Sequence, residues 1–162
     1  MVKVLGIDPG LAQVGYGVVN TADPMTLLAC GVIRTRPGPS PGERMVEIAR
    51  DLRQLVRQHR PRLAAVEKFF FYRSSNTIAV VQARGVVLMT MARLRVPTLE
   101  YAPTQVKRTL TGDGRADKDQ VLNAVMRALC LEHPPQPDDA ADAIAVALTA
   151  KFHQFHDDSQ QG

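Results

Sequence analysis

The sequence predicts an α/β fold built on a mixed sheet in a single domain. Three short strand-like runs occupy the first 34 residues, and strands then alternate with helix-period segments as far as residue 152. At 162 residues the chain is long enough for one full core and too short for a second of similar size.

Taken in order, Val2 to Ile7 is a mostly apolar strand closed by Asp8-Pro9-Gly10. Val14 to Val19 carries β-branched valines, and Leu27 to Arg34 supplies a third run. Short turns between the three imply an antiparallel meander. Pro37-Gly38-Pro39-Ser40-Pro41-Gly42 reads as a break that neither helix nor strand tolerates. Met45, Ile48, Ala49, Leu52, Leu55 and Val56 then recur at helical spacing, up to Arg60-Pro61. Leu63 to Val66 is a short strand that delivers Glu67 at its end. A long helix is expected from Ser75 to Leu94, a strand from Pro97 to Tyr101 and a short helix from Gln105 to Leu110. After the Gly112-Asp113-Gly114 turn, Asp117 and Gln120 form a capping pair that opens a helix to about Leu131. The last helix starts near Asp138 and runs through Ala150 or Phe152, so the expected domain is 1–152, with 153–162 as a polar flexible tail.

Composition narrows the function class. Hydrophobic content of 45% is that of a globular chain, and the net charge of +4 comes mostly from arginine. Arginine's planar fork suits phosphate, so an anionic partner such as nucleic acid is favoured. No apolar run approaches the roughly 18 residues of a membrane span. The first residues enter directly on a strand and carry no signal-peptide pattern, so the expected location is the cytoplasm. Cys30 and Cys130 lie far apart in apolar surroundings and are expected to be buried thiols, with neither metal-ligand nor disulfide spacing.

Four carboxylates stand out by position. Asp8 and Glu67 each end an apolar strand. Alone, Asp8 is explained by turn chemistry and Glu67 by a solvated sheet edge. Asp139 and Asp142 lie one turn apart at the start of the last helix, where acids also favour the helix dipole. Dipole chemistry accounts for Asp138 or Asp139, but Asp142 borders Ala143, Ile144, Val146 and Leu148 and needs a partner or a cation there. Helical spacing does not choose between Asp138 and Asp139 as its companion. Two strand ends and a helix start can converge on one sheet edge. An oxygen-only set of ligands favours magnesium or manganese over zinc. Two such ions roughly 4 Å apart activate a water and stabilise the leaving oxygen of a phosphodiester.

Gly6-Ile7-Asp8-Pro9-Gly10 with Gly15-Tyr16-Gly17, then Val66-Glu67, Gln105-Val106-Lys107 and Asp139-Ala140-Ala141-Asp142-Ala143-Ile144-Ala145, resembles the RuvC family of Holliday-junction resolvases. The resemblance is ordered and covers nearly the whole chain. It implies an RNase H-like fold with a five-stranded sheet flanked by helices, a homodimer, and magnesium-dependent paired incision of four-way DNA junctions in recombination and repair. The family's acidic quartet matches Asp8, Glu67, Asp139 and Asp142, with Asp138 as an extra acid beside the pair. The family also implies the RuvA–RuvB branch-migration complex as a partner.

Further residues are read as DNA contacts. Phe69-Phe70-Phe71-Tyr72 follows Glu67, and four aromatics in a row cannot all face one core. The resemblance assigns Phe70 and Phe71 as a wedge stacking on junction bases, with Arg73 and Asn76 beside them. It also assigns Lys107 and Lys118 near the scissile phosphate, and Arg115 in the Gly-rich turn is a phosphate contact. Solvated surface lysines and a covered aromatic face are the structural alternatives. The helix from Ser75 to Leu94 is apolar around almost its full circumference, which points to a second subunit on its outer face, with Gly85 permitting close approach. Competing functions are another RNase H-like nuclease acting on RNA or an RNA–DNA hybrid, a sugar-kinase or actin-like phosphotransferase, and a non-catalytic junction-binding module. A phosphotransferase of that kind needs two such domains, and the chain has room for one.

Overall fold

The computed structural model describes residues 2–68 and 77–157. Five strands, β1 (Lys3–Asp8), β2 (Gln13–Asn20), β3 (Thr26–Arg34), β4 (Leu63–Glu67) and β5 (Thr98–Tyr101), form one sheet in the order β3-β2-β1-β4-β5. β3, β2 and β1 are the expected antiparallel meander, and β4 and β5 continue from β1 in parallel. The helices are α1 (Pro41–His59), α2 (Thr77–Arg93), α3 (Pro103–Thr111), α4 (Lys118–Ala128) and α5 (Asp138–Asp157).

Strand alternation divides the apolar side chains between two layers. Leu5, Ile7, Val14, Val18 and Val66 face Ile48 and Leu52 of α1 and Ala83, Val87 and Met91 of α2. Val4, Val19, Leu63 and Ala65 face the other way, onto Ile144, Ala147 and Leu148 of α5, with Val106 and Val125 beyond. All residues of α5 from Ala143 to Ala150 are buried, so this helix is the centre of its layer.

Glycines set how near α5 comes to the sheet. A Cβ on Gly6 would lie 1.8 Å from the Ala143 carbonyl oxygen, one on Gly15 2.0 Å from the Asp139 carbonyl oxygen, and one on Gly17 2.4 Å from Ile144 Cγ1. Gly6 pairs with Gly17 and Asp8 with Gly15, so the three form a contiguous bare patch across β1 and β2. The helix backbone rests directly on it.

Several boundaries differ from the sequence reading. The Pro/Gly-rich segment 37–42 is not wholly a break, because α1 begins at Pro41. Ser40 is the N-cap, its Oγ accepts from the Glu43 backbone N–H, and Glu43 Oε2 accepts from the Ser40 N–H at 2.7 Å. Proline at the first helical position lacks only a donor that would have had no intrahelical partner. α4 stops at Ala128, short of Leu131, where Leu129 leaves helical geometry and Cys130 takes a left-handed φ of 50°. That turn leaves Cys130 exposed, and Cys30 in β3 is half-buried, so neither is the fully buried thiol expected. α5 continues past Phe152 to Asp157, and His153, assigned to a flexible tail, lies 5.3 Å from Tyr101 between ring centroids and 2.9 Å from Thr109 Oγ1.

The glycine patch gives a direct test. Gly6→Ala forces a Cβ into helix backbone, an overpacking cost of about 1–3 kcal/mol or more, and lowers Tm by roughly 5 °C or more in a thermal melt. Gly42→Ala, where an added Cβ meets nothing within 4 Å, leaves Tm unchanged or raises it slightly.

Candidate active site

The site is a consequence of strand parity. Val4, Gly6 and Asp8 alternate onto the α5 face of β1, and Leu63, Ala65 and Glu67 do the same on β4. The parallel register pairs Ile7 with Val66, so Asp8 and Glu67 leave the sheet on adjacent strands, at the same end and on the same face. The N-terminus of α5 descends onto that end because the glycine patch lets it. Asp139 and Asp142, one turn apart, then face Asp8.

One carboxylate oxygen from each of Asp8, Asp139 and Asp142 falls within a group whose members are all within 4.8 Å of one another. Glu67 is outside that tight group. It lines, with Asp142, an adjoining cleft of about 290 Å³ whose other walls include Lys107, Lys118 and Val106. Asp138, the extra acid, is outside the tight group and exposed, its Oδ2 3.9 Å from Lys118 Nζ.

The electrostatics are those of acids crowded together and partly buried. Burial, with Glu67, Asp142 and Asp139 adding repulsion, pushes the Asp8 carboxyl up to about 8 against a small opposing effect of Lys118. Burial and Asp142 push Glu67 up to about 7, while Lys107 and Lys118 pull it down. Asp142 is also raised, first by burial, although Lys118 Nζ stands 3.7 Å from its Oδ2 and lowers it. Two lysines are therefore too little positive charge for the acids gathered here. The donor set is all carboxylate, without histidine or cysteine, and its spacing is that of ligands around a common ion. It fits a hard divalent cation such as magnesium or manganese.

Other residues hold the site in shape. Gln13 Nε2 donates to Asp139 Oδ2, fixing the carboxylate that spacing alone did not select. The sequence reading missed Gln13; its signal was a polar side chain in register with Gly15 and Gly17 on the α5 face of β2. The Ala102 N–H donates to Gln105 Oε1 at 2.8 Å, so Gln105 caps α3, the helix that carries Lys107 into the cleft. Lys118 sits at the first position of α4 behind the Asp117 cap, whose Oδ1 accepts from the Gln120 N–H at 2.8 Å. Arg115 is exposed on the turn before α4 and does not line the cleft. Phe70, Phe71, Arg73 and Asn76 lie outside the described residues.

Known proteins can now be set against this geometry. Residues 4–150 match the family model described as crossover junction endodeoxyribonuclease RuvC. The chain belongs to the RuvC family. The family member from Synechococcus sp. strain WH7803 is 68% identical over 94% of this chain and 99% of its own length. That from Prochlorococcus marinus strain MIT 9313 is 63% identical over the same shares. The solved structure of T. thermophilus RuvC in complex with a Holliday junction substrate superposes with a TM-score of 0.89, at 38% identity, over 95% of both chains. The mixed five-stranded sheet is therefore the RNase H-like fold expected from the sequence, and the chain is a nuclease. No described helix is long and apolar enough to cross a membrane.

The raised carboxyls have a measurable consequence. The unfolded Asp8 carboxyl titrates near ~4, whereas the folded one titrates at about 8. Between those values the folded chain keeps a proton that the unfolded chain has released, so stability is greatest below the first and is lost as pH rises through the second. The metal-free protein should therefore show a Tm that falls from about pH 5 to about pH 8. Magnesium chloride should restore it at the higher pH by binding the folded state. Asp8→Asn should flatten the fall; a Tm that climbs across the same interval in chelator contradicts the electrostatic account.

Proposed function

We propose that this chain resolves four-way DNA junctions by paired, symmetric, metal-dependent hydrolysis of phosphodiester bonds in recombination and repair. The observation that carries the reading is the convergence of Asp8, Asp139 and Asp142 beside a cleft walled by Glu67, Lys107 and Lys118. Family membership over residues 4–150, and a family structure whose substrate is a Holliday junction, give the substrate class.

Asp8, Glu67, Asp139 and Asp142 act together as the catalytic ligands and hold magnesium, or manganese, as two ions. When bound, the cations polarise the phosphodiester and make a water molecule a stronger nucleophile. Lys107 and Lys118 draw the scissile phosphate into the cleft and offset the charge that develops on its oxygens. The partly buried setting of Asp8 and Glu67 strengthens each of these interactions. Phe70 and Phe71 stack on bases at the junction centre, with Arg73, Asn76 and Arg115 on neighbouring phosphates or bases.

Paired incision needs two sites related as the two strands are, and a twofold dimer provides them. Support for it comes from α2, whose outer stripe exposes Ile78 at 74%, Val81 at 50% and Met89 at 49%. Gly85 lies in the same stripe with open space around it. The RuvA–RuvB branch-migration complex is the partner that family membership implies. The location we assign is the cytoplasm, where thiols such as the exposed Cys130 stay reduced.

Asp8→Asn should slow incision by about a hundredfold or more while junction binding persists or tightens, since phosphate contacts dominate affinity. The assay compares a four-way junction, a linear duplex and an RNA–DNA hybrid, each with magnesium and with manganese. Nicks at symmetric positions in the junction alone are expected. Preferential cutting of the hybrid, or wild-type cutting by Asp8→Asn, overturns the assignment.

A further inference from the structure

The turn between β1 and β2 carries Asp8 at its entry and Gln13 at its exit. It closes tightly, since a Cβ on Gly10 would lie 2.5 Å from the Gln13 carbonyl oxygen. Gln13 then pairs with Arg34 as the first residue of β2, two places before Gly15, which keeps its side chain on the α5 face. There its Nε2 donates to Asp139 Oδ2. An ionised carboxylate only accepts, so the amide presents its nitrogen and the sense of the bond is fixed by chemistry.

The same turn is held from outside by Thr35, the buried residue that follows β3. The Thr35 N–H donates to the Ala12 carbonyl at 3.1 Å, and its Oγ1 donates to the Leu11 carbonyl at 2.7 Å. That hydroxyl also accepts from Nε of Arg44, near the start of α1, at 2.8 Å. The two carbonyls just before Gln13 are thus tied to one buried side chain and its backbone. A hydrogen-bonded line runs from α1 through Thr35 and the turn to Gln13 and Asp139.

We propose, on the metal-dependent reading given above, that Thr35 and Gln13 are positioning residues for the hydrolysis: Thr35 holds the turn so that Gln13 orients Asp139 towards a divalent cation. An aspartate turns about two side-chain bonds, and freedom given up on meeting an ion costs affinity. Gln13 removes that freedom beforehand, and it does so without charge. An arginine or lysine in its place would pair with Asp139 and compete with the ion, whereas a neutral amide leaves the carboxylate its charge. Partners of this kind alter metal affinity by about ten- to a hundredfold. Neither residue lines the cleft, so their substitution shifts metal binding and leaves the junction contacts in place.

The test titrates manganese into the full chain without DNA, following the free ion by electron paramagnetic resonance. Junction cutting is then measured across manganese concentrations. Gln13→Met keeps the length of the side chain and removes its donor, and it should weaken manganese binding about tenfold or more. Thr35→Val keeps the shape and removes the hydroxyl. It should weaken binding severalfold, whereas Thr35→Ser, which retains the hydroxyl, should bind as the wild type does. Because Thr35 acts through Gln13, Thr35→Val added to Gln13→Met should weaken binding no further. In cutting, the manganese concentration for half-maximal rate should rise while the junction KM stays unchanged. If Thr35→Val does not fold, Arg44→Met, which removes only the outer bond, replaces it with the same expected direction. Unchanged manganese affinity in Gln13→Met or in Thr35→Val overturns the proposal, as does a Thr35→Ser chain that binds as weakly as Thr35→Val. Losses that add in the double variant make Thr35 a support of the fold alone and overturn it too. A wild-type chain that binds no manganese overturns the metal site and this proposal together, whereas wild-type binding that survives both substitutions overturns only the positioning role.

Discussion

The close seating of α5 on β1 and β2 is the constraint from which the site follows. Gly6, Gly15 and Gly17 present no side chains where the helix backbone passes, and a methyl at any of them would overlap α5. Were the helix held off by an ordinary layer of side chains, helix and sheet would stand about 10 Å apart, the usual spacing of packed layers. Asp139 and Asp142 would then lie too far from Asp8 to share an ion with it. The same contact serves the core. Ile144 and Leu148, fully buried on the sheet, contribute about 2–3 kcal/mol each.

That apolar contribution has an opponent. Burial, with repulsion from the neighbouring acids added, raises Asp8 to about 8 and Glu67 to about 7. After solvent screening, the cost of burying these acids side by side at neutral pH is on the order of a few kcal/mol. It is comparable to what one or two core side chains of α5 return, so the core holds the acids together without a cation but at reduced stability. Electrostatic strain and fitness for a cation have one origin, because the charge that destabilises the cluster is the charge a cation would neutralise. Lys118 and Lys107 moderate it without neutralising it. From the exposed rim of the cleft they can also meet a phosphate.

Much of this was legible in the sequence, and the reasons differ by residue. Asp8 and Glu67 stood out only as acids ending apolar strands, and the ordered resemblance to the RuvC family singled them out; the structure adds that each continues the alternation of its strand by one step. Asp142 was readable because an acid beside an apolar helical run needs an explanation. The choice between Asp138 and Asp139 was not readable from spacing, since both are near Asp142 on a helix. The structure distinguishes them, since Asp139 accepts from Gln13 whereas the exposed Asp138 stands 3.9 Å from Lys118 Nζ. Ser40-Pro41-Gly42-Glu43 misled because proline and glycine read as breakers, whereas a proline at the first helical position behind a serine cap is a helix start. Cys130 misled for a tertiary reason, as a left-handed turn after α4 carries it out of the apolar run in which it stands. The role of the glycines is a matter of layer spacing, which no local pattern encodes.

The sheet also separates two kinds of charge. Its α5 face concentrates acids at the strand ends, and its α1–α2 face concentrates arginines around an apolar groove. Were the arginine stripe of α1 placed beside the cluster instead, guanidinium groups would pair with Asp8 and Asp142 and satisfy the carboxylates that a cation must find free. Lysines suit the cleft better: each brings one mobile charge on a flexible stem, and Lys118 stands 3.7 Å from Asp142 without closing to a direct hydrogen bond. The arginines of α1 and Arg93 are therefore kept a full sheet thickness from the acids, while Arg108 and Arg115, on the α5 side, do not line the cleft. The net charge of +4 thus leaves the acids of the cleft accompanied by lysine and not by arginine.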